Sequence, residues 1–537
     1  MAKKQSAKRA ARPAASQSSL ERYRGLLSAE DFVALMAALA QPLPQALRAN
    51  PLKVEPPAAA TDWRERYGWE LQPVPFCPTG WQVISAQTPL SAPIEYRMGQ
   101  YYIQDAASML PAELFDFDDL PAPLVLDMAA APGGKTTHLI SRAGDRGLVL
   151  ANDSAPGRIA ALRGVLRDWG AVNAAVTAYP GERFGAWFPE TFDRVLLDAP
   201  CSMDHLRPAP GRARPAASAR EREGLAARQA RLLASALQAA RVGGQVVYST
   251  CTLAPEEDEG VLDALLTQYG DALQVEDLSA RFGARGAALP ADETRDFHPA
   301  VTNAVRLWPH TFGTSGFFAA LITKTAPLDG PRAEPPSRPL EPLGWEPLAR
   351  RDSAAVEQFF QQEYGFDLPA LLERQKLALW RRGGGIHAFP LSFLSRFAGL
   401  PVEGLGLLVA ENTPQGLQIS HEWAARFGQQ FQAGTLRLPS EYLDAWLRGE
   451  DAPLAGGDNK TVIMLDEDGR IDTWFALRQM MFDPENRAEI AARFAARSFG
   501  LDDARAPMRD ALAQTAAHTL TLFADRAGKY ELNGRVF

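Results

Sequence analysis

Two of the three cysteines in the chain lie where apolar, strand-like runs end. Cys201 falls in the segment DAPCS (198–202), and Cys251 falls in the segment YSTCT (248–252). Two thiols at the ends of two strands of one α/β domain can face a common cleft and carry out covalent chemistry. The alternative is that each is an ordinary buried cysteine, since a free cysteine packs as a small hydrophobic residue.

A third strand end has the pattern of a cofactor loop. The segment DMAAAPGGKTT (127–137) follows an apolar run with small residues, two glycines and the start of a predicted helix. Such a turn lets backbone amides approach a ligand closely at the positive end of a helix. Asp153 stands at the end of the next predicted strand, where nucleotide-binding folds hold ribose hydroxyls with a carboxylate.

Two classes of cofactor are compatible with this loop. A phosphate-binding loop requires G-x-x-x-x-G-K-[ST], and Ala129 occupies its first glycine position ahead of Gly134, Lys135 and Thr136. Hydrolysis of a nucleotide would use Asp198 to hold magnesium and would leave both cysteines without a role. A methyltransferase loop needs the glycine turn and an acid at the next strand end, and both are present. The pattern therefore favours methyl transfer, with a P-loop-like NTPase as the alternative.

The cysteines suit a methyl transfer that needs covalent activation. C5 of a pyrimidine is too weak a nucleophile to attack a sulfonium methyl group, but a thiolate that adds to C6 makes C5 enamine-like. After methylation a base removes the C5 proton, and elimination frees the enzyme. A second thiol can assist this release, and a nearby carboxylate can stabilise the adduct. Lys135 and the arginines after Cys201 are candidates for the electropositive surroundings that a thiolate needs.

Five ordered motifs give the chain a specific family resemblance. The chain resembles the RsmB/NOP (Nol1/Nop2/Sun) family of S-adenosylmethionine-dependent RNA cytosine-C5 methyltransferases, and within it the branch that modifies ribosomal RNA. The match extends from about residue 43 to residue 325. The motifs that carry it are LPQALRANPLK (43–53), GQYYIQDAAS (99–108), AAPGGKT (130–136), DAPCS (198–202) and STCT (249–252).

The resemblance implies roles for the residues at matching positions. Cys251 would be the nucleophile, and Cys201 would assist product release. Asp198 would lie between the cofactor and the target base and serve both, whereas Asp153 would bind the ribose. The target cytosine would have to leave its stack to reach Cys251. The residues that would wrap the methionine end of S-adenosylmethionine are Ala129, Ala130, Ala131, Pro132, Gly133, Gly134 and Lys135, with Gln104 and Asp105 as a buttress.

The chain departs from the family pattern at two places. The segment TAYPG (177–181) stands where the family places an acidic residue against adenine, so backbone groups or Tyr179 are candidate replacements. After Cys201 the family commonly has Gly-x-Gly, whereas this chain has the segment MDH (203–205). Both thiols and both carboxylates remain, so we expect an active enzyme. A catalytically inert RNA-binding ribosome-assembly factor is the alternative from another functional class.

Composition sets further bounds. The 537 residues are 46% hydrophobic and 22% charged, which is typical of a soluble protein of two or three domains without a membrane span. The net charge of -8 argues against a general polyanion binder, although the segments 1–24 and 207–228 are basic. Three cysteines cannot form a disulfide framework, which favours a reducing cytoplasm. The sequence indicates no metal, and it does not indicate an oligomeric state.

The order of elements predicts the fold class. Strands alternate with helices between residues 121 and 325, which predicts a doubly wound α/β sheet of the class I, Rossmann-like methyltransferase type. A run at 317–322 is expected to close this sheet as an edge strand. The predicted regions are a disordered basic tail (1–18), an N-terminal α/β RNA-contacting arm (19–120), a methyltransferase domain (121–325), a Pro-rich linker (326–347) and a C-terminal α+β RNA-binding domain (348–537).

Overall fold

A computed structural model describes the chain at residues 21–203, 217–292, 294–414 and 416–437, and at the short strands 463–465, 531–532 and 535–536. The predicted basic tail at 1–18 lies outside these ranges. Within them, no helix is both long enough and apolar enough to cross a membrane.

An antiparallel sheet forms the core of the N-terminal region (21–120). Its strands lie in the order β2-β3-β1-β4. The strands are β1 (Gln45–Ala49), β2 (Glu70–Val74), β3 (Cys77–Ser85) and β4 (Tyr101–Gln104), and the helices are α1 (Ala29–Ala40), α2 (Pro56–Tyr67), α3 (Ile94–Arg97) and α4 (Leu110–Glu113). One face of the sheet packs on α2 through buried Trp63, Trp69 and Tyr101, which fixes the helix on the sheet.

The central region (121–325) contains five parallel strands and three antiparallel ones. The parallel strands are β5 (Leu124–Asp127), β6 (Leu148–Asn152), β7 (Ala174–Thr177), β8 (Phe192–Asp198) and β9 (Ala240–Thr250), and the antiparallel strands are β10 (Leu273–Val275), β11 (Val305–Leu307) and β12 (Phe317–Lys324). The helices are α5 (Gly134–Arg142), α6 (Pro156–Trp169), α7 (Phe184–Trp187), α8 (Ala219–Ala239), α9 (Glu259–Tyr269), α10 (Ser279–Phe282) and α11 (Pro309–Phe312).

Helices cover both faces of this sheet, as the uninterrupted apolar strands predict. On one face, Leu139 of α5 and Leu162 of α6 pack against the strands. On the other face, Leu233 of α8 and Leu262 of α9 belong to a second core cluster. The doubly wound α/β prediction is therefore confirmed, and the carboxyl ends of β5, β6, β8 and β9 meet at one rim where loops can form a site.

The prediction that the strand at 317–322 closes the sheet is wrong. The sheet order is β10-β12-β9-β8-β5-β6-β7, and β12 lies between β9 and two further strands. β10 pairs with the Ile322–Lys324 end of β12, and β11 pairs with its Phe317–Ala319 end. Each of these strands has only three residues, too short a pattern to be recognised beside the longer apolar runs.

The C-terminal region contributes to the same sheet. Its strands are β13 (Trp345–Pro347), β14 (Leu377–Arg382), β15 (Gly385–Pro390), β16 (Gly404–Leu405), β17 (Leu407–Thr413) and β18 (Gly416–Ile419), and its helices are α12 (Arg350–Tyr364), α13 (Leu368–Gln375), α14 (Leu391–Phe397) and α15 (His421–Phe427). Five of these strands form a separate sheet, but β16 pairs antiparallel with β7 at the edge of the central sheet. Two further pairs are formed by β19 (Thr435–Arg437) with β20 (Ile463–Leu465) and by β21 (Glu531–Leu532) with β22 (Arg535–Val536).

Three polar residues of the segment 43–53 attach the N-terminal sheet to the central region. The Arg48 guanidinium donates to the Gly134 carbonyl oxygen at 3.0 Å, and the Asn50 amide donates to the Trp169 carbonyl oxygen at 2.9 Å. The Lys53 ammonium lies 2.7 Å from the Asp168 carbonyl oxygen, and burial lowers the pKa of Lys53 to about 7. These buried side chains bind the start of α5 and the end of α6, so they fix the N-terminal sheet beside the loop that precedes α5.

A buried ionic cluster lies behind the end of β9. Arg306 of β11 is fully buried, contacts the Glu259 carboxylate and lies 3.2 Å from an oxygen of Asp258. Its guanidinium also donates to the Leu253 carbonyl oxygen at 2.9 Å, and the Thr250 hydroxyl donates to Asp258 at 2.5 Å. The residues on both sides of Cys251 are thereby fixed to the sheet.

Replacement of Arg306 tests this cluster. We expect Arg306→Met to lower the free energy of unfolding by about 3–5 kcal/mol, because it leaves two carboxylates buried without their cation. The matched control is Arg381→Met, since Arg381 pairs with Asp352 at 2.6 Å at a half-exposed position where the loss should stay below about 1 kcal/mol. Urea unfolding of both variants measures the difference, and equal losses would contradict the structural role of Arg306.

Candidate active site

The two cysteines predicted to share a cleft are in contact. β8 and β9 run parallel with Asp198 opposite Ser249, so Cys201 and Cys251 follow neighbouring strand ends. Their sulfur atoms lie 3.1 Å apart, and both cysteines are partly exposed and free of disulfides. The strand pairing therefore presents two thiols at one point of the rim.

Asp198 is held beside them by a cation and a hydroxyl group. The Lys135 ammonium lies 2.8 Å from one carboxylate oxygen, and the Ser249 hydroxyl donates to the other oxygen at 3.0 Å. Burial lowers the pKa of Lys135, but the charge and hydrogen bond of Asp198 outweigh it and hold the pKa above its usual value. A permanently charged lysine thus lies close to the thiols, as an electropositive site requires.

The hydrogen bond between the thiols makes them chemically unequal. The pKa of Cys201 is raised well above its usual value, first by its hydrogen bond to Cys251, then by burial and by the charge of Cys251. The raised pKa favours the neutral, protonated thiol at Cys201.

The loop between β5 and α5 has the tight geometry that its glycines predict. Gly133 has a φ of 119°, and a Cβ placed there would lie 2.9 Å from a methyl group of Val165. A Cβ on Gly134 would lie 2.7 Å from the Tyr102 ring and 3.1 Å from the Gln104 side-chain oxygen. A side chain at either position would have to displace these neighbours, and the loop from Ala129 to Lys135 lies between the N-terminal sheet and α6.

Residues at the end of β6 hold this loop from its other side. The Ala130 amide donates to the Asn152 carbonyl oxygen at 2.7 Å, and the Ala131 amide donates to Asp153 at 3.1 Å. The Asp153 carboxylate also accepts from Ala155 at 2.9 Å and lies 3.3 Å from the Arg158 guanidinium. Asp153 thus lies at the strand end where the sequence predicts it, with one carboxylate oxygen bonded to the loop and the other to Ala155.

Several buried polar atoms around the loop have no protein partner. They include the side-chain amide nitrogen of Gln104, one carboxylate oxygen of Asp127 and two nitrogens of Arg48. The second Asp127 oxygen accepts from the Thr136 hydroxyl at 2.6 Å. An unsatisfied donor and an unsatisfied acceptor suit the carboxylate and ammonium groups of a bound amino acid. The residues present therefore fit the methionine end of S-adenosylmethionine.

The structure describes only part of the two departures from the family pattern. Tyr179 packs edge-on against Trp187, and its hydroxyl lies 3.5 Å from the Pro401 carbonyl oxygen of the C-terminal region. Its amide donates to the Asn152 side chain at 2.9 Å. Met203 has a left-handed backbone with a φ of 55°, and Asp204, His205 and the basic segment as far as residue 216 lie outside the described residues.

Two buried residues beside Cys201 were not recognised in the sequence as part of the site. Gln229 and Glu257 are both fully buried and contact the backbone on either side of Cys201. Gln229 is an ordinary position of a long helix, and Glu257 is one of several acids after Cys251. The one feature of the sequence that could have indicated Glu257 is the acidic run EED at 256–258, a few residues after the candidate nucleophile Cys251.

Cys77, the remaining cysteine, belongs to a buried polar cluster elsewhere. Its sulfur lies 3.9 Å from the ring of His138, and that ring lies 2.8 Å from the Glu113 carboxylate. Burial, followed by the charge of Glu113, raises the pKa of Cys77 to about 12, and burial lowers the pKa of His138 to about 4. A neutral thiol and a neutral ring joined by hydrogen bonds act as part of the core.

The fold and the site together define a class of protein. A doubly wound sheet, a glycine turn after its first parallel strand and an acid at the end of the next strand form a class I S-adenosylmethionine-dependent methyltransferase. Residues 118–323 match the family model described as 16S rRNA methyltransferase RsmB/F. Residues 16–106 match the model of the N-terminal domain of 16S rRNA methyltransferase RsmF.

Similar proteins agree with these matches over most of the chain. The ribosomal RNA small subunit methyltransferase F of Vibrio vulnificus is 31% identical over 477 residues, which cover 88% of this chain and 90% of that protein. The Erwinia tasmaniensis protein of the same name is 34% identical over 80% of this chain and 87% of its own length. The chain belongs to the RsmB/F family of rRNA methyltransferases. A methyltransferase homologue from Pyrococcus horikoshii is 29% identical over 57% of this chain and 99% of its own, with a TM-score of 0.49.

Substitution of Gly133 tests the cofactor loop. We expect Gly133→Ala to weaken S-adenosylmethionine binding about tenfold, because an alanine is strained at this φ and its Cβ displaces Val165. The matched control is Gly164→Ala in the neighbouring helix α6, where a Cβ meets nothing within 4 Å. Isothermal titration calorimetry compares the two, and an unchanged affinity of Gly133→Ala would contradict the proposed loop geometry.

Asp127 provides a test by pH. Burial, together with the charge of Asp198, raises the pKa of Asp127 to about 7 although Thr136 donates to it. The folded protein therefore binds an extra proton between about pH 4 and pH 7, and the contribution of this group to stability falls as pH rises through that window. We expect the stability of Asp127→Asn relative to the native chain to increase by about 2–3 kcal/mol between pH 5 and pH 8. Urea unfolding at both pH values measures it, and a pH-independent difference would contradict the raised pKa.

Proposed function

We propose that the protein methylates C5 of a cytosine in ribosomal RNA through a covalent adduct of Cys251 that Cys201 resolves. The observation that carries the proposal is the 3.1 Å contact between the two sulfur atoms beside the Lys135–Asp198 ion pair. A methyltransferase whose substrate atom is already a good nucleophile needs neither thiol. Methylation of C5 of a cytosine uses both. Family membership supports an RNA substrate, and the free cysteines support a reducing, cytoplasmic setting.

The chain's own residues divide the reaction between them. The Cys251 thiolate forms a bond to C6 of the cytosine, and the electron pair displaced onto C5 makes that carbon nucleophilic. Lys135 and the thiol of Cys201 stabilise the thiolate before attack. We assign to Asp198 the N3 and N4 edge of the base, because its carboxylate is fixed by Lys135 and Ser249 beside the cysteines. The bound cofactor supplies the electrophilic methyl group.

Release then follows from the change in charge at Cys251. Once its sulfur is bonded to C6, it carries no negative charge and no longer competes for the Cys201 proton. The two effects of Cys251 that raise the pKa of Cys201 disappear, so Cys201 becomes easier to ionise. As a thiolate it removes the C5 proton, the electron pair restores the C5–C6 double bond, and the Cys251 sulfur leaves.

The cofactor contacts are proposed on the same basis. We assign the methionine end of S-adenosylmethionine to the loop 129–135 and the unsatisfied atoms of Gln104 and Asp127, and we assign the ribose to Asp153. The RNA contacts of the N-terminal arm and of the C-terminal region stay predictions.

Two cysteine variants test the division of roles. We expect Cys201→Ala to form an RNA adduct that survives denaturation and to release little product, because the C5 proton then lacks its base. Cys251→Ala should form no adduct and no 5-methylcytosine. The measurement is denaturing electrophoresis with small-subunit rRNA from a strain lacking the gene, together with bisulfite sequencing of that RNA.

Cys77→Ala is the control, since Cys77 lies in the core outside the site. The absence of any adduct in Cys201→Ala, or full methylation by Cys251→Ala, would contradict the proposed mechanism. A magnesium-dependent nucleotide hydrolysis that is insensitive to Cys251→Ala would instead support the NTPase alternative.

A further inference from the structure

Two buried side chains form hydrogen bonds with the backbone on both sides of Cys201. The Gln229 side-chain amide donates to the Pro200 carbonyl oxygen at 2.8 Å, and the Ser202 backbone amide donates to the Glu257 carboxylate at 2.9 Å. Pro200 and Ser202 are the immediate neighbours of Cys201. The peptide groups before and after the cysteine are therefore both fixed.

The side chains of Gln229 and Glu257 are also hydrogen-bonded to each other. The second hydrogen of the Gln229 amide points to the same Glu257 oxygen at 3.0 Å, so both of its donors are used. Both residues are fully buried, where such hydrogen bonds are not replaced by water. We call the pair Gln229 and Glu257 the 229–257 clamp. It fixes the Cys201 turn to α8 on one side and to the segment after β9 on the other.

The clamp connects the two cysteines through that segment. Glu257 follows Cys251 by six residues, and its own carbonyl oxygen accepts from the Tyr248 hydroxyl of β9 at 2.5 Å. The Ser202 and Thr252 hydroxyls, one residue beyond each cysteine, lie 3.2 Å apart. The position of Cys201 relative to Cys251 therefore depends on Glu257 rather than on strand pairing alone.

Cys251 itself depends less on the clamp. It directly follows β9, whose last residue Thr250 is paired with Phe318 of β12 and donates to Asp258. Cys201 lies three residues beyond the end of β8, outside the strand pairing. Loosening the clamp should displace the thiol needed for release and leave the attacking thiol in place.

We propose that Gln229 and Glu257 are positioning residues for the release step, which hold the Cys201 thiol at the C5 proton of the adduct. This inference rests on the proposed function, because it assigns release to Cys201. Geometry errors of about 1 Å in such a group slow its step by about 10- to 100-fold. The chain would then accumulate the covalent adduct although both cysteines are present.

The test compares adduct formation with product release in single-turnover reactions. Gln229→Leu removes both donors at similar volume, and it should form the adduct at the native rate and release product about 10- to 100-fold more slowly. Glu257→Gln keeps the side-chain volume and one acceptor oxygen, so this variant should fold normally. Its product release should be slowed less than that of Gln229→Leu. The RNA is again small-subunit rRNA from a strain lacking the gene.

Gln238→Leu is the matched control. Gln238 lies on the same helix and is also buried, but its side-chain amide donates to the Pro331 carbonyl oxygen, away from the cysteines. Thermal melting of all variants verifies folding. Native-like release by Gln229→Leu and Glu257→Gln, equal slowing of adduct formation and release, or the same delay in Gln238→Leu would each overturn the inference.

Cys201→Ala, run in parallel, separates this inference from the proposed function. If Cys201→Ala traps the adduct and the clamp variants do not, the clamp fails and the mechanism stands. If Cys201→Ala traps nothing, the covalent mechanism fails as well. Adduct trapping by Cys201→Ala and slower release by both clamp variants, with a native Gln238→Leu, would support both.

Discussion

The parallel pairing of β8 with β9 is the constraint on which the site depends. It places Asp198 opposite Ser249, and every later contact follows from that register. The Ser249 hydroxyl reaches Asp198, the cysteines that follow come to 3.1 Å, and Lys135 closes the site from α5. A shift of one residue would turn alternate side chains to the opposite face of the sheet and separate these groups. The buried Arg306 cluster holds the segment that follows β9 and, through Asp258, contacts Thr250 at the end of the strand.

The electrostatics of the site follow from the burial of several acidic groups around one lysine, Lys135. A buried carboxylate or thiol is neutral unless a cation or donor stabilises its charge. Burial, together with the charge of Asp198, raises the pKa of Asp127, and the hydrogen bond to Cys251, together with burial, raises the pKa of Cys201. In the proposed mechanism, the chemistry of Cys201 changes with the covalent state of Cys251. The 3.1 Å contact between the sulfur atoms would then serve both the attack on C6 and the later removal of the C5 proton.

The sequence predicted what depends on local pattern and left out what depends on long-range contact. Strand ends, the glycine loop and the two cysteines were recognised because apolar runs and turn residues mark them directly. Gln229 and Glu257 were missed because their partners are 28 and 55 residues away. Short strands such as β10 and β11 have too few residues to show an alternating apolar pattern. The sequence therefore predicts β12 as an edge strand, which is wrong. The segment 43–53 was recognised as a motif, but its role in binding α5 and α6 appears only in three dimensions.

The C-terminal region is joined to the central sheet at the edge formed by β7. An exposed edge strand leaves unpaired backbone groups, and β16 covers them. The Glu403 amide donates to the Val176 carbonyl oxygen at 2.8 Å, and the Pro401 carbonyl oxygen lies beside Tyr179. The segment 177–181 departs from the family pattern at this same place. Main-chain hydrogen bonds and the Tyr179 hydroxyl therefore join the segment 401–405 of the C-terminal region directly to β7 and the loop that follows it.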